Sequence, residues 1–221
     1  MNFGFTEEQT LFADTVRKFA VSELEAHALA RAHNPSFPFD VAQRMSRHGL
    51  IGITLPQVDG GQGGTMMDGV IAIEQVALVC PKSADVVQSG SFGPIRTFTE
   101  YASPPLKAKF LPDLLAGRTV MSLGMSEPEA GSAATDLTTT AQSEGAHCVV
   151  NGTKVFATFS ADAAVFLIYA RFGPGVGGIG SVVVERGAPG DFAQTEVRRC
   201  QSWIWKLTGI APGWSWPARC P

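Results

Sequence analysis

Paired thiols, clustered histidines, long apolar runs and any strong excess of one charge are all missing from this sequence. Its four cysteines, Cys80, Cys148, Cys200 and Cys220, stand far apart with no C-x-x-C pair. Neither a zinc site nor a disulfide framework is indicated, and they read as free thiols. The four histidines, His27, His33, His48 and His147, are equally scattered. With no partner one helical turn away and no nucleophile motif nearby, they read as surface or helix-end residues. Formal net charge is -3 over 221 residues with both signs interspersed, which argues against a nucleic-acid face or a polybasic membrane patch. No run approaches the ~18 apolar residues of a membrane span. The N-terminus is acidic and polar where a signal peptide is basic and then apolar, so a cytoplasmic location is expected. There is no G-x-G-x-x-G and no Gly-Lys-Ser/Thr, so Asp59-Gly-Gly-Gln-Gly-Gly64 reads as a flexible turn and not as a phosphate cradle.

What is present is a helical block followed by a strand block. Thr6 and Gln9 form a capping-box start, and Leu11, Phe12, Val16, Phe19, Ala20 and Leu24 then recur at helical spacing. A second helix is expected from Pro38 to His48, stopped by Gly49. Thr65 and Asp68 cap another, whose Val70, Ile71, Ile73, Val76, Ala77, Leu78 and Val79 are apolar nearly all round, the composition of an interior helix. Glu74 within it reads as a surface or hydrogen-bonded carboxylate. Ser83 to Tyr101 reads as a helix broken near Gly90 to Pro94, and Pro104-Pro105 opens a last one that Gly117 ends.

After Arg118 the period changes from 3.6 to 2. Met121–Met125, Ala146–Val150, Thr153–Thr158, Val165–Arg171 and Ser181–Glu185 are strand candidates at hairpin-like spacing. Helices then strands, in separate blocks, argue an α+β chain with an N-terminal all-α helical domain followed by a small antiparallel β-barrel or sandwich domain. The expected division is 1–118 helical, 119–196 a middle β domain, and 197–221 an atypical tail holding all four tryptophans.

Met121 to Ala133 stands out. It starts as a strand, stops at Pro128, and exposes backbone N–H groups around Gly131-Ser132. Geometry alone leaves open an ordinary strand-to-turn exit or an anion or cofactor seat. Ser126-Glu-Pro-Glu-Ala-Gly-Ser132, the Thr138-Thr139-Thr140 segment and Val150-Asn-Gly-Thr-Lys-Val-Phe156 together resemble the middle-domain signature of the acyl-CoA dehydrogenase family. Phe5-Thr-Glu-Glu-Gln9, Gly49 to Pro56 with the glycine run after it, and Phe110-Leu-Pro to Gly117 resemble its N-terminal part, so that the likeness covers about residues 3 to 190.

The resemblance implies FAD as cofactor and α,β-dehydrogenation of an acyl-CoA thioester. It implies backbone groups of Leu123 and Met125 and the Ser126 hydroxyl for the pyrimidine edge, Gly131 and Ser132 for the pyrophosphate, and Ser132 also for substrate. Phe156 would cover a ring face, with Ala157 beside it and Thr158, two along the same strand, reaching N5. Val86, Val87 and Ser89 are acyl-pocket candidates. The chain departs from the family pattern at Ser126 (usually Thr), Ala133 (usually an acid), Phe156 (usually Trp) and Phe159-Ser160 (often Asn-Gly or similar). The family's base is a glutamate on a C-terminal helical domain that this chain does not contain, so no catalytic residue is named, and a truncated or inactive form is expected. The tail, with its abrupt change of composition, reads as a shifted reading frame, with an unusual native strand pair and an aromatic ligand or membrane-interface patch as the alternatives. An electron-transfer flavoprotein or another acceptor is the implied partner, with a homo-oligomer for a full-length chain. A flavin-dependent monooxygenase of the same fold and a non-catalytic fragment are the alternatives.

Overall fold

A computed structural model describes residues 4–144, 147–188, 190–197 and 202–212. The side chains beyond residue 188, and so the readings of Cys200, Cys220 and the tryptophans, lie outside the described residues. The chain divides into two compact units, Met1–Val120 and Met121–Pro221.

The first unit is helical: α1 (Glu7–Leu24), α2 (Ala28–Ala32), α3 (Phe39–Arg47), α4 (Met66–Ala77), α5 (Pro81–Ser91), α6 (Pro94–Tyr101) and α7 (Pro104–Leu115). Both expected capping boxes form. Thr6 accepts from the Gln9 amide while the Gln9 side chain accepts from Thr6 N–H, and Thr65 and Asp68 do the same at α4. The break inside 83–101 falls at Phe92-Gly93, where Gly93 takes φ +61°. Val16, Leu24, Met45, Leu55, Ile71, Val76, Ile95 and Phe98 are buried.

Two expectations fail in this unit. The helix expected in the interior, α4, packs on α1 and α5 yet leaves Met66, Met67 and Val70 about half exposed. All-round apolar composition permits burial on every side but does not supply neighbours for it. The glycine run is a turn, but not a loose one. Gly61, Gln62, Gly63 and Gly64 donate to the carbonyls of Pro56, Gly52, Leu55 and Ile53 at 2.8–3.0 Å. A Cβ on Gly61 would overlap the Leu55 carbonyl, so glycine serves close approach of backbone to backbone.

The second unit is one open sheet: β1 (Met121–Gly124), β2 (Thr140–Glu144), β3 (His147–Lys154), β4 (Val165–Arg171), β5 (Ile179–Glu185), β6 (Gly190–Val197) and β7 (Ser202–Pro212). β5 and β1 flank β4, and the path continues β4–β2–β3–β7–β6. β4 and β5 are near-continuous apolar runs, buried on both faces.

The expected barrel or antiparallel sandwich is corrected here: the sheet is mixed and not closed. β1 pairs parallel with β4 through Met121↔Val165 to Gly124↔Ile168, and β2 meets the same edge, again parallel, at Thr140↔Arg171. The chain leaves that edge at Gly124, makes an excursion over 125–139, and returns heading the same way. Even spacing of strands suggests reversal at every turn, and this excursion does not reverse. The strand candidates 146–150 and 153–158 are also corrected. One strand, β3, runs through Asn151-Gly152 and ends at Lys154, leaving 155–158 outside the sheet. Gly152 sits mid-strand because a Cβ there would overlap Thr139 on the neighbouring chain segment. Ser202–Pro212, within the segment set apart as a tail, pairs with β3 from His147↔Pro212 to Lys154↔Trp205.

Candidate functional site

The exits of β1 and β3 lie side by side. Leu123, Met125 and Ser126 from the first, with Val155, Phe156 and Thr158 from the second, line an indentation of about 120 Å³. Five of the eight residues expected around a cofactor therefore meet at one place: Leu123, Met125, Ser126, Phe156 and Thr158. Ala157 is buried between two of them, and Gly131 and Ser132 lie exposed in the excursion, away from the indentation. Val86, Val87 and Ser89 are buried in α5.

Thr158 does not follow Phe156 along a strand, as the alternation suggested. Phe156 adopts φ +58°, a left-handed conformation costly for an aromatic residue, and its side chain is 66% exposed. Phe159 repeats the same φ. The pair turns the chain twice within four residues and brings Thr158 back to the indentation.

The walls are fixed by contacts that residue spacing does not reveal. Ser122, fully buried, donates its hydroxyl to the Thr158 carbonyl at 2.7 Å, and Val155 N–H donates to the Ser126 carbonyl at 2.9 Å. Behind them lies a buried ion pair, Lys154 to Glu127 at 2.8 Å, with 0% and 5% of their surfaces exposed. Lys154 Nζ also donates to the Met125 carbonyl at 3.0 Å. Glu127 accepts from Thr138 N–H and Oγ1, both at 2.7 Å, and from Thr139 N–H at 2.9 Å. Burial pushes the Glu127 carboxyl upward, but the Lys154 ammonium and the Thr138 and Thr139 donors outweigh it and hold the pKa at about 2. Burial depresses the Lys154 pKa, which the carboxylate restores only in part.

Two arginines tie the surrounding loops. Arg171, at the end of β4, donates to the carbonyls of Leu137, Gly175 and Thr135. Arg186, after β5, holds Ser160, Ala161 and Ala163 by theirs. Nothing in the residue pattern assigns a role to Ser122, Glu127, Lys154 or either arginine. Glu127 and Lys154 sit inside the two motifs, but they are 27 residues apart and carry no spacing signal that pairs them.

The indentation has unspent hydrogen-bonding capacity. The Ser126 and Thr158 hydroxyls, and the N–H groups of Ser126, Phe156 and Thr158, bond to no other described residue. Donors on residues that line the notch, beside an exposed aromatic ring, suit the polar edge and one face of a flat heteroaromatic group. The volume is enough for an edge and too small to enclose a dinucleotide. A Cβ on Gly131 would meet nothing within 4 Å, so the backbone there is open to approach. No group of three or more His, Cys, Asp or Glu among the described residues could hold a metal.

A helical unit leading into an open mixed sheet, with a donor-lined notch where two strands end, defines the class of this protein. The chain belongs to the acyl-CoA dehydrogenase family: the N-terminal domain model of that family matches residues 6–118 and its middle domain model residues 122–201. A short-chain-specific acyl-CoA dehydrogenase of Clostridium acetobutylicum is 31% identical over 192 residues, 86% of this chain and 51% of that one. An acryloyl-CoA reductase (NADH) of Anaerotignum propionicum is 34% identical over 196 residues, 86% of this chain and 49% of the relative. The chain thus spans about half the length of these relatives. Among solved structures, the FAD complex of PigA superposes with a TM-score of 0.85 at 24% identity, covering 96% of this chain and 58% of that one.

Proposed function

We propose that this chain is the FAD-binding portion of an acyl-CoA dehydrogenase, acting in α,β-dehydrogenation of an acyl-CoA thioester. The observation that carries the reading is the meeting of Leu123, Met125, Ser126, Phe156 and Thr158 around one notch with free donors. When bound, FAD supplies the acceptor for the β-hydride. The chain's residues supply position and polarity. Backbone N–H groups near Leu123 and Met125 and the Ser126 hydroxyl serve the pyrimidine edge, Thr158 serves the N5 edge, and Phe156 with Ala157 covers one face. Gly131 and Ser132 hold the pyrophosphate on backbone amides, with Ser132 also touching substrate. The α-proton goes to a carboxylate that no residue of this chain is assigned to provide. An electron-transfer flavoprotein or another acceptor would be the partner, within fatty acid metabolism in the cytoplasm, with a homo-oligomer for a full-length form.

The visible spectrum of the purified chain after incubation with FAD tests the reading. A flavin spectrum that survives desalting, and is lost in Thr158→Val and Gly131→Asp, is the expected result. A colourless protein that cannot be reconstituted, or unchanged uptake in both variants, overturns it.

A further inference from the structure

Lys154 is an unusual way to end a strand. A fully buried ammonium carries a desolvation cost of several kcal/mol that its partner's attraction must offset, and an apolar side chain in the same place would carry none. The surroundings are nevertheless shaped for it. Gly124 lies against the Lys154 stem, and a Cβ there would stand 3.3 Å from Lys154 Cγ and 2.6 Å from Ile168 Cδ1. The ammonium then reaches the Met125 carbonyl and Glu127 Oε1, while the other oxygen of the carboxylate gathers Thr138. One buried pair therefore holds the last residue before Ser126, the far end of the excursion at Thr138-Thr139, and the strand end two residues before Phe156.

We propose that Glu127 and Lys154 are positioning residues for the flavin edge, a latch that fixes the directions in which Ser126 and Phe156 project into the notch. For its ligand this rests on the flavin reading above; for the latch itself it rests only on the contacts. A latch and a mere stabilising pair differ in what happens when both charges are removed together. The double variant Glu127→Gln/Lys154→Met leaves no unpaired buried charge, so it is expected to fold. It has, however, no donor for the Met125 carbonyl and a weakened hold on the Thr138 and Thr139 amides.

The test uses the full chain and that double variant, with its fold checked by circular dichroism and thermal melting. Without flavin, hydrogen exchange at the amides of Thr138, Thr139 and Val155 is expected to quicken about tenfold. With FAD, affinity is expected to fall about tenfold, with a changed visible circular dichroism of what remains bound. Wild-type exchange in a folded double variant overturns the latch, as does wild-type affinity with an unaltered spectrum. A wild-type chain that takes up no FAD sinks the flavin reading instead, and exchange then decides the latch alone. Should the double variant not fold, Thr138→Val removes one donor to Glu127 at an exposed position. About threefold faster exchange at Thr139 is then expected, and unchanged exchange overturns the proposal.

Discussion

Two loops carry this chain between its regular elements, one reversing it and one not, and they are held in different ways. The glycine run at 59–64 is closed by main chain on main chain, with four N–H groups donating to carbonyls of 52–56. An ion pair there, Lys107 to Asp59 at 3.0 Å, is only partly buried. The excursion at 125–139 makes only short backbone turns of its own, between Glu127 and Ala130 and over Ala133 to Leu137, and a buried carboxylate and ammonium gather its two ends. The first arrangement spends its backbone donors on itself. The second leaves the Ser126 hydroxyl and N–H bonded to no other described residue. Where a surface must offer free donors in fixed directions, side-chain anchoring from behind does what glycine packing cannot.

The contrast breaks most sharply at Glu127. Glu127→Gln leaves Lys154 charged and buried without its counter-ion, and is expected to cost the sheet unit ~3–5 kcal/mol. Urea unfolding followed by circular dichroism reads the loss, and a value below ~1 kcal/mol would contradict charge anchoring. Acid probes the same carboxylate more gently. Its pKa drops from 4.5 to about 2 on folding, so the folded form binds fewer protons. Its contribution, about 3 kcal/mol, is complete above pH 4.5 and disappears as the pH falls toward 2. Glu127→Gln should lack that acid step. In the glycine loop, Gly61→Ala forces a Cβ onto the Leu55 carbonyl and is expected to cost ~1–3 kcal/mol, read by circular dichroism at the helical minimum. Lys107→Ala, which removes only the outer tie, should cost ~1 kcal/mol or less. A larger loss there would mean that charge holds this loop as well.

Features governed by neighbours in sequence were legible. The capping boxes at Thr6 and Thr65, the stop at Gly49 and the break at Gly93 are decided within four or five residues. So were the apolar runs of β4 and β5, and most of the residues around the notch, which the family motifs carried. What the sequence concealed depends on partners far along the chain. β2 is a largely polar strand whose place comes from pairing with β3. Asn151-Gly152 is a strong hairpin signal overridden because the neighbouring Thr139 leaves room only for hydrogen. Alternation carries on past Lys154, although the ladder does not, so 155–158 read as strand. The parallel pairing of β1 with β4 joins residues 44 positions apart, as in Met121↔Val165, and no local pattern encodes it.

Phe156 records two selections pulling apart. A left-handed backbone costs a non-glycine residue ~1–2 kcal/mol, and a ring 66% exposed recovers little of that by burial. A library at this position screened for thermal tolerance alone should therefore enrich Phe156→Gly and Phe156→Asn. The same library screened for retained flavin should discard them, so the disagreement between the two screens marks the position as one that folding did not choose.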